Sequence, residues 1–216
     1  MSPVDPRVVE VLTDLVRGLR LLKIPFCVIG ALVPELLIEA PPRRFTNDAD
    51  VTVVLESLED FDRLKTQLAD FGFTAAPNRP YRLTHRSGGW CDLLPYSAAL
   101  VPDGTLHLDR DLSFNMAGFD RVMANAVQVD VTGELRVPVI PIPLYAMLKL
   151  VAFGDRRDPR DPASVLHCLR NYAEGDDRRY GLDHDGEPVS FEFTTAYSLI
   201  FLQPLALNAI GRRITN

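Results

Sequence analysis

Apolar residues recur at helical spacing at the start of the chain, where Val8, Val9, Leu12, Leu15, Val16, Leu19 and Leu22 define one face of an amphipathic helix that Pro25 closes off. The pattern then changes. Phe26-Cys27-Val28-Ile29 is a continuous apolar run ended by Gly30, which predicts a buried strand followed by a sharp turn. Residues 31–39 suit a short second helix, Pro41-Pro42-Arg43-Arg44 a loop, and the β-branched run 51–55 a second strand. Residues 58–71 form a third helical pattern with a mixed-charge face. Two strand patterns, 81–85 and 90–94, flank the turn Ser87-Gly88-Gly89. Two strand-and-helix alternations followed by a hairpin predict an α+β fold, a small mixed β-sheet with helices packed on it.

Beyond Pro138-Val139-Ile140-Pro141-Ile142-Pro143 the periodicity becomes helical, over 144–153 and again over 162–172, with a charged connection at 154–161. Residues 173–188 are acidic, Gly-containing and polar, the composition of a loop, and a last helix is expected over about 192–211. The expected organisation is therefore a core over residues 1–140 and a helical region over 141–216 that completes a cleft.

Composition narrows the setting. A chain of 216 residues with 47% hydrophobic and 24% charged content can bury a core without disulfides or a structural metal. Cys27, Cys91 and Cys168 are far apart and lack a partner at ligand spacing, which argues for free core thiols in a reducing compartment. The first residues carry charge throughout, and no run is long enough to span a bilayer, so a cytoplasmic protein without a membrane partner is expected. A net charge of -6 opposes a broad electrostatic grip on nucleic acid; any RNA contact should be local. His85, His107, His167 and His184 show no metal-ligand spacing and are expected to be structural or surface groups. No serine nucleophile elbow and no P-loop is present.

The chemistry concentrates in Thr46-Asn47-Asp48-Ala49-Asp50. On an extended backbone Asp48 and Asp50 point to the same side, and two like charges so close call for a cation. Mg²⁺, with its preference for carboxylate oxygens and phosphate, suits the pair. Asp92, set among Cys91, Leu93 and Leu94 in the later hairpin strand, would be costly there unless it paired or shared the same ion. Read singly, Asp48 is equally a loop or capping residue, Asp50 a strand-edge charge and Asp92 a hydrogen-bonded strand residue. Trp90 and Tyr96 flank Asp92; stacking on a base is one use open to them, and packing against the helices is the expected one.

Taken in order, Val28-Ile29-Gly30-Ala31, the block from Arg44 to Val51, Cys91-Asp92-Leu93-Leu94, and Leu148-Lys149-Leu150 leading through Asp155-Arg156-Arg157 to Asp161 carry a resemblance. The chain resembles the nucleotidyltransferases of the DNA polymerase beta superfamily, and within it the AbiEii-like toxin or viral-defence group. That resemblance implies a polymerase-beta-like core followed by a mainly helical part. It implies an Mg²⁺-dependent enzyme that moves a nucleotide from an NTP to an RNA (tRNA included) or protein acceptor, as the toxin of a toxin-antitoxin or phage-defence pair with an antitoxin protein as partner. It assigns metal binding and catalysis to Asp48, Asp50 and Asp92, and nucleotide contacts to Gly30, Ala31, Arg44, Thr46, Lys149 and Arg157. Ala31 stands where the family usually carries a second Gly or a Ser. A catalytically silent nucleotide-binding or interaction module on the same fold is the alternative.

Overall fold

The computed structural model describes residues 4–39 and 46–172. Its first helix, α1 (Pro6–Leu21), begins where Asp5 accepts a hydrogen bond from the Arg7 backbone N–H and Pro6 presets the first turn. It buries Val8, Leu12, Leu15 and Leu19, the face that the periodicity predicts. β1 (Phe26–Ile29) is buried at every position, as its unbroken apolar run requires. Gly30 turns the chain at φ 75° into the short helix α2 (Leu32–Leu37).

β2 (Asp48–Val54) starts ahead of the apolar run, so both aspartates belong to the strand. The helix expected over 58–71 divides into α3 (Leu58–Gln67) and a 3₁₀ turn (Leu68–Phe71), after which Gly72 reverses the chain at φ 89°. Ser57 caps α3 by accepting the Asp60 N–H at 3.1 Å, and Glu59 and Asp60 face the positive end of the helix. β3 (Phe73–Ala75) follows, then the hairpin β4 (Arg82–His85) and β5 (Trp90–Tyr96).

Four further strands lie in a region that the sequence pattern left unassigned. β6 (Thr105–Asp109) and β7 (Leu112–Asn115) form a separate two-stranded sheet. After a short helix, α4 (Val122–Asn125), β8 (Val127–Thr132) and β9 (Leu135–Val139) form a second hairpin. Val127, Val129 and Val131 alternate with polar residues, but Val127 is 41% exposed because β8 is an edge strand, and its hydrophobic face is correspondingly weak as a signal. The helical pattern beyond residue 140 becomes α5 (Ile142–Arg156) and α6 (Arg160–Asn171). The loop expected over 173–188 and the helix over 192–211 lie outside the described residues.

The main sheet has the order β3-β4-β5-β2-β1-β9-β8. It is mixed: β2 runs parallel to β5 and antiparallel to β1, while β1 runs parallel to β9. The pleat sends Ala49, Val51, Val53, Cys91 and Leu93 to one face, all fully buried, with α1 packed near β2 and β5. Ile142, Leu144, Tyr145 and Met147 of α5 and Cys168 of α6 join the same hydrophobic core. Buried His85 ties the hairpin to α1. Its Nε2 lies 3.2 Å from Asp14 Oδ2, and its Nδ1 accepts the Ser87 backbone N–H, a structural use. Among the described residues no helix is long and apolar enough to cross a membrane.

Candidate functional site

The opposite face of β2 and β5 carries the aspartates. The parallel register sets Asp50 against Asp92 and Asp48 against Trp90, so residues distant in the chain share one side of the sheet. One oxygen from each of Asp48, Asp50 and Asp92 lies within 4.8 Å of the others. Asp92 is 15% exposed and Asp48 31%, so a ligand can reach the cluster while protein shields part of it.

Asp50 takes the strain of this arrangement. Burial, and then the charges of Asp48 and Asp92, push its carboxyl up to about 6, against the opposing influence of Lys149 and the Ala31 N–H. Burial is the first cause and the two neighbouring carboxylates the next, so the cluster crowds an excess of negative charge that Lys149 and the Ala31 N–H offset only in part. Three convergent carboxylate oxygens with that excess fit a divalent cation such as Mg²⁺.

Gly30 and Ala31 close over Asp50. The Ala31 backbone N–H donates to Asp50 Oδ2 at 3.3 Å, and a Cβ on Gly30 would stand 2.5 Å from both Cβ and Cγ of Asp50. The turn after β1 is therefore fitted to the carboxylate. Its glycine is required twice, by the positive φ and by the contact.

Lys149 lies near enough for its charge to act on Asp50, and its Nζ donates to Asp161 Oδ1 at 3.3 Å. Asp161 is 1% exposed and also accepts two hydrogen bonds from Arg156, at 2.6 and 2.8 Å. Arg157 instead closes the end of α5 at φ 55°, with its guanidinium 5.5 Å from the centre of the Phe153 ring. Thr46 is buried beside the start of β2, its backbone N–H donating to Glu35 Oε1 at 3.1 Å. Arg44 lies outside the described residues.

One charged residue at this site was missed in the sequence. Arg82 of β4 pairs in register with Asp92, and its Nε and one terminal nitrogen donate to Asp92 Oδ1 and Oδ2 at 2.6 and 2.7 Å. A terminal nitrogen also lies 3.8 Å from Asp48 Oδ2. The signal lies in the hairpin, which is centred on Ser87 and so sets 82 opposite 92. Arg82 also stands 5.3 Å from the ring centre of Trp90, and Trp90 lines a small cleft with Arg7 and Val8 of α1. Tyr96 packs on Phe119.

No protein-family profile matches the sequence, and no curated protein does. Solved structures do resemble it. An antigenic nucleotidyltransferase-like protein from Paracoccidioides brasiliensis is similar over 96% of this chain and 94% of its own, with a TM-score of 0.52 and 16% identity. The lincosamide antibiotic adenylyltransferase LnuA, bound to lincomycin, gives 0.44 at 16% identity over 76% of this chain and 95% of its own. The antibiotic-resistance factor ANT(2'')-Ia gives 0.46 at 11% identity over 76% and 83%. The likeness to the first, over nearly all of both chains, is one of fold: this chain shares the α+β fold of that nucleotidyltransferase-like protein.

Proposed function

We propose that this protein is an Mg²⁺-dependent nucleotidyltransferase that takes a nucleotide from an NTP. The observation that carries the reading is the meeting of Asp48, Asp50 and Asp92 on one face of two parallel strands, with oxygens within 4.8 Å of one another. Asp48 and Asp50 are the principal cation ligands, and Asp92 completes the set. Bound there, Mg²⁺ would neutralise charge on the triphosphate and on the attacking and leaving oxygens.

The remaining work belongs to the chain. Asp92 accepts the proton of the acceptor hydroxyl as its oxygen forms a bond to the α-phosphorus, while the α–β phosphoanhydride bond breaks and pyrophosphate leaves. Lys149 and Arg157 meet the triphosphate, with Lys149 oriented by Asp161. The Gly30-Ala31 turn allows close approach of the phosphates to the end of β1. Thr46 and Arg44 are further nucleotide contacts, assigned by the motif resemblance.

The acceptor is an RNA, such as a tRNA, or a protein, and the activity serves as the toxin of a toxin-antitoxin or phage-defence pair. That part of the proposal rests on the motif resemblance to the AbiEii-like group. Purified protein incubated with Mg²⁺ and each α-labelled NTP, with total RNA and separately with protein extract, tests it. Label should pass to one acceptor class in wild type and to neither in D50N. Transfer from no NTP to either class would overturn the reading.

A further inference from the structure

We propose that Arg82 is a built-in counter-ion that competes with the divalent cation for Asp92, so that the nucleotide-free site binds metal less tightly than its three carboxylates alone would. The inference rests on the reading of those aspartates as a metal site and concerns how that site is loaded.

The geometry has three parts. First, the guanidinium engages both oxygens of Asp92 at 2.6 and 2.7 Å, a forked arrangement that is among the stronger hydrogen-bonded ion pairs. Each oxygen is thus already directed to a fixed donor. Second, the same group reaches toward Asp48 Oδ2, at 3.8 Å, so its charge serves two of the three carboxylates that would bind the ion. Third, Arg82 is held in place. Its side chain is 19% exposed, it stands over the Trp90 ring at 5.3 Å, and its backbone pairs with Asp92 across the hairpin. An arginine fixed on three sides is not a surface charge that drifts away when an ion arrives.

Electrostatics sets the direction of the effect. The site's affinity for a cation comes from unneutralised carboxylate charge, and a unit positive charge within hydrogen-bonding distance of one ligand reduces it. Among the described residues Asp50 is the carboxylate of the three with no arginine paired to it, and it is closed over by the Gly30-Ala31 turn. Full ligation by Asp92 requires the fork to open, or at least one of its two bonds to turn aside. A polyanionic triphosphate brings the charge that can draw Arg82 off Asp92, so metal and nucleotide load together.

The test is Mn²⁺ binding without nucleotide, by electron paramagnetic resonance and titration calorimetry, on wild type, R82Q, R82K and D50N, with thermal melting as a check of folding. R82Q should bind Mn²⁺ more tightly than wild type, on the order of tenfold. R82K keeps the charge without the fork and should fall between them. A purely structural role for Arg82 predicts the reverse, because a released Asp92 would leave the site and weaken it. Equal or weaker binding by R82Q, with binding lost in D50N, overturns the proposal and leaves the metal site standing. If neither wild type nor R82Q binds Mn²⁺, both fall.

Discussion

Gly30 and Asp50 stand so close that a Cβ on the glycine would come within 2.5 Å of the aspartate Cβ, at a backbone φ of 75°. G30A should therefore destabilise the protein by about 2–4 kcal/mol in urea unfolding, the positive φ and the overlap each contributing. The double variant G30A/D50G separates the two. Relief of the overlap should make its loss smaller than the sum of the single losses by at least about 1 kcal/mol. Additive losses would mean that the two residues are not in contact in solution.

Asp50 gives the metal-free protein a pH dependence. Its carboxyl is raised from 3.8 to about 6, so between these values the folded state keeps a proton that the unfolded chain has released. Stability from this group is present at low pH and is lost as pH rises to 6 and beyond. D50N removes the effect. In EDTA, D50N should be more stable than wild type at pH 7.5 by about 2–3 kcal/mol, the free energy of a shift of roughly two pH units. The difference should shrink toward pH 4. A D50N protein less stable than wild type across this range would contradict the assigned environment.

Lys149 links the helical region to the aspartates. K149A removes a cation whose charge lowers the Asp50 carboxyl, so that group should titrate above 6, an upward shift readable from the carboxyl carbon by nuclear magnetic resonance. Binding of an NTP with Mg²⁺ should weaken on the order of tenfold in the same variant. An unchanged Asp50 titration with unchanged NTP binding would place the triphosphate elsewhere.

The three carboxylates should separate by role under Asn substitution. D48N and D50N should lose Mg²⁺-dependent NTP binding and turnover together, whereas D92N should keep much of the binding and lose transfer by about 100-fold or more. Equilibrium binding alongside single-turnover transfer distinguishes them. Equal loss of binding in all three would preserve the metal site and refute the role of Asp92 as proton acceptor.

Much of the aspartate face was readable from the sequence, for definite reasons. Asp48 and Asp50 announce themselves by alternation ahead of a β-branched run, and Asp92 by being a charge inside an apolar strand. What a linear reading does not supply is the partner strand. Asp92 reaches Asp50 only because β5 lies parallel to β2, a pairing fixed by the whole sheet. Arg82 was overlooked for a related reason: a solvated arginine and an arginine in a carboxylate fork look alike until the hairpin register is drawn. The strands between Thr105 and Val139 were left unassigned although Leu135, Val137 and Val139 alternate cleanly, because the half-exposed partner β8 dilutes the pattern. Val139 then joins β1 as a parallel neighbour, which no local pattern reveals.

The central claim is that Asp48, Asp50 and Asp92 form one divalent-cation site, and crystals soaked with Mn²⁺ and a non-hydrolysable NTP analogue test it most directly. An anomalous-scattering peak should lie between these carboxylates, about 2.0–2.3 Å from an oxygen of Asp48 and of Asp50, with the triphosphate beside it. A nucleotide bound in those crystals with manganese elsewhere, or with none at the three aspartates, would contradict the account.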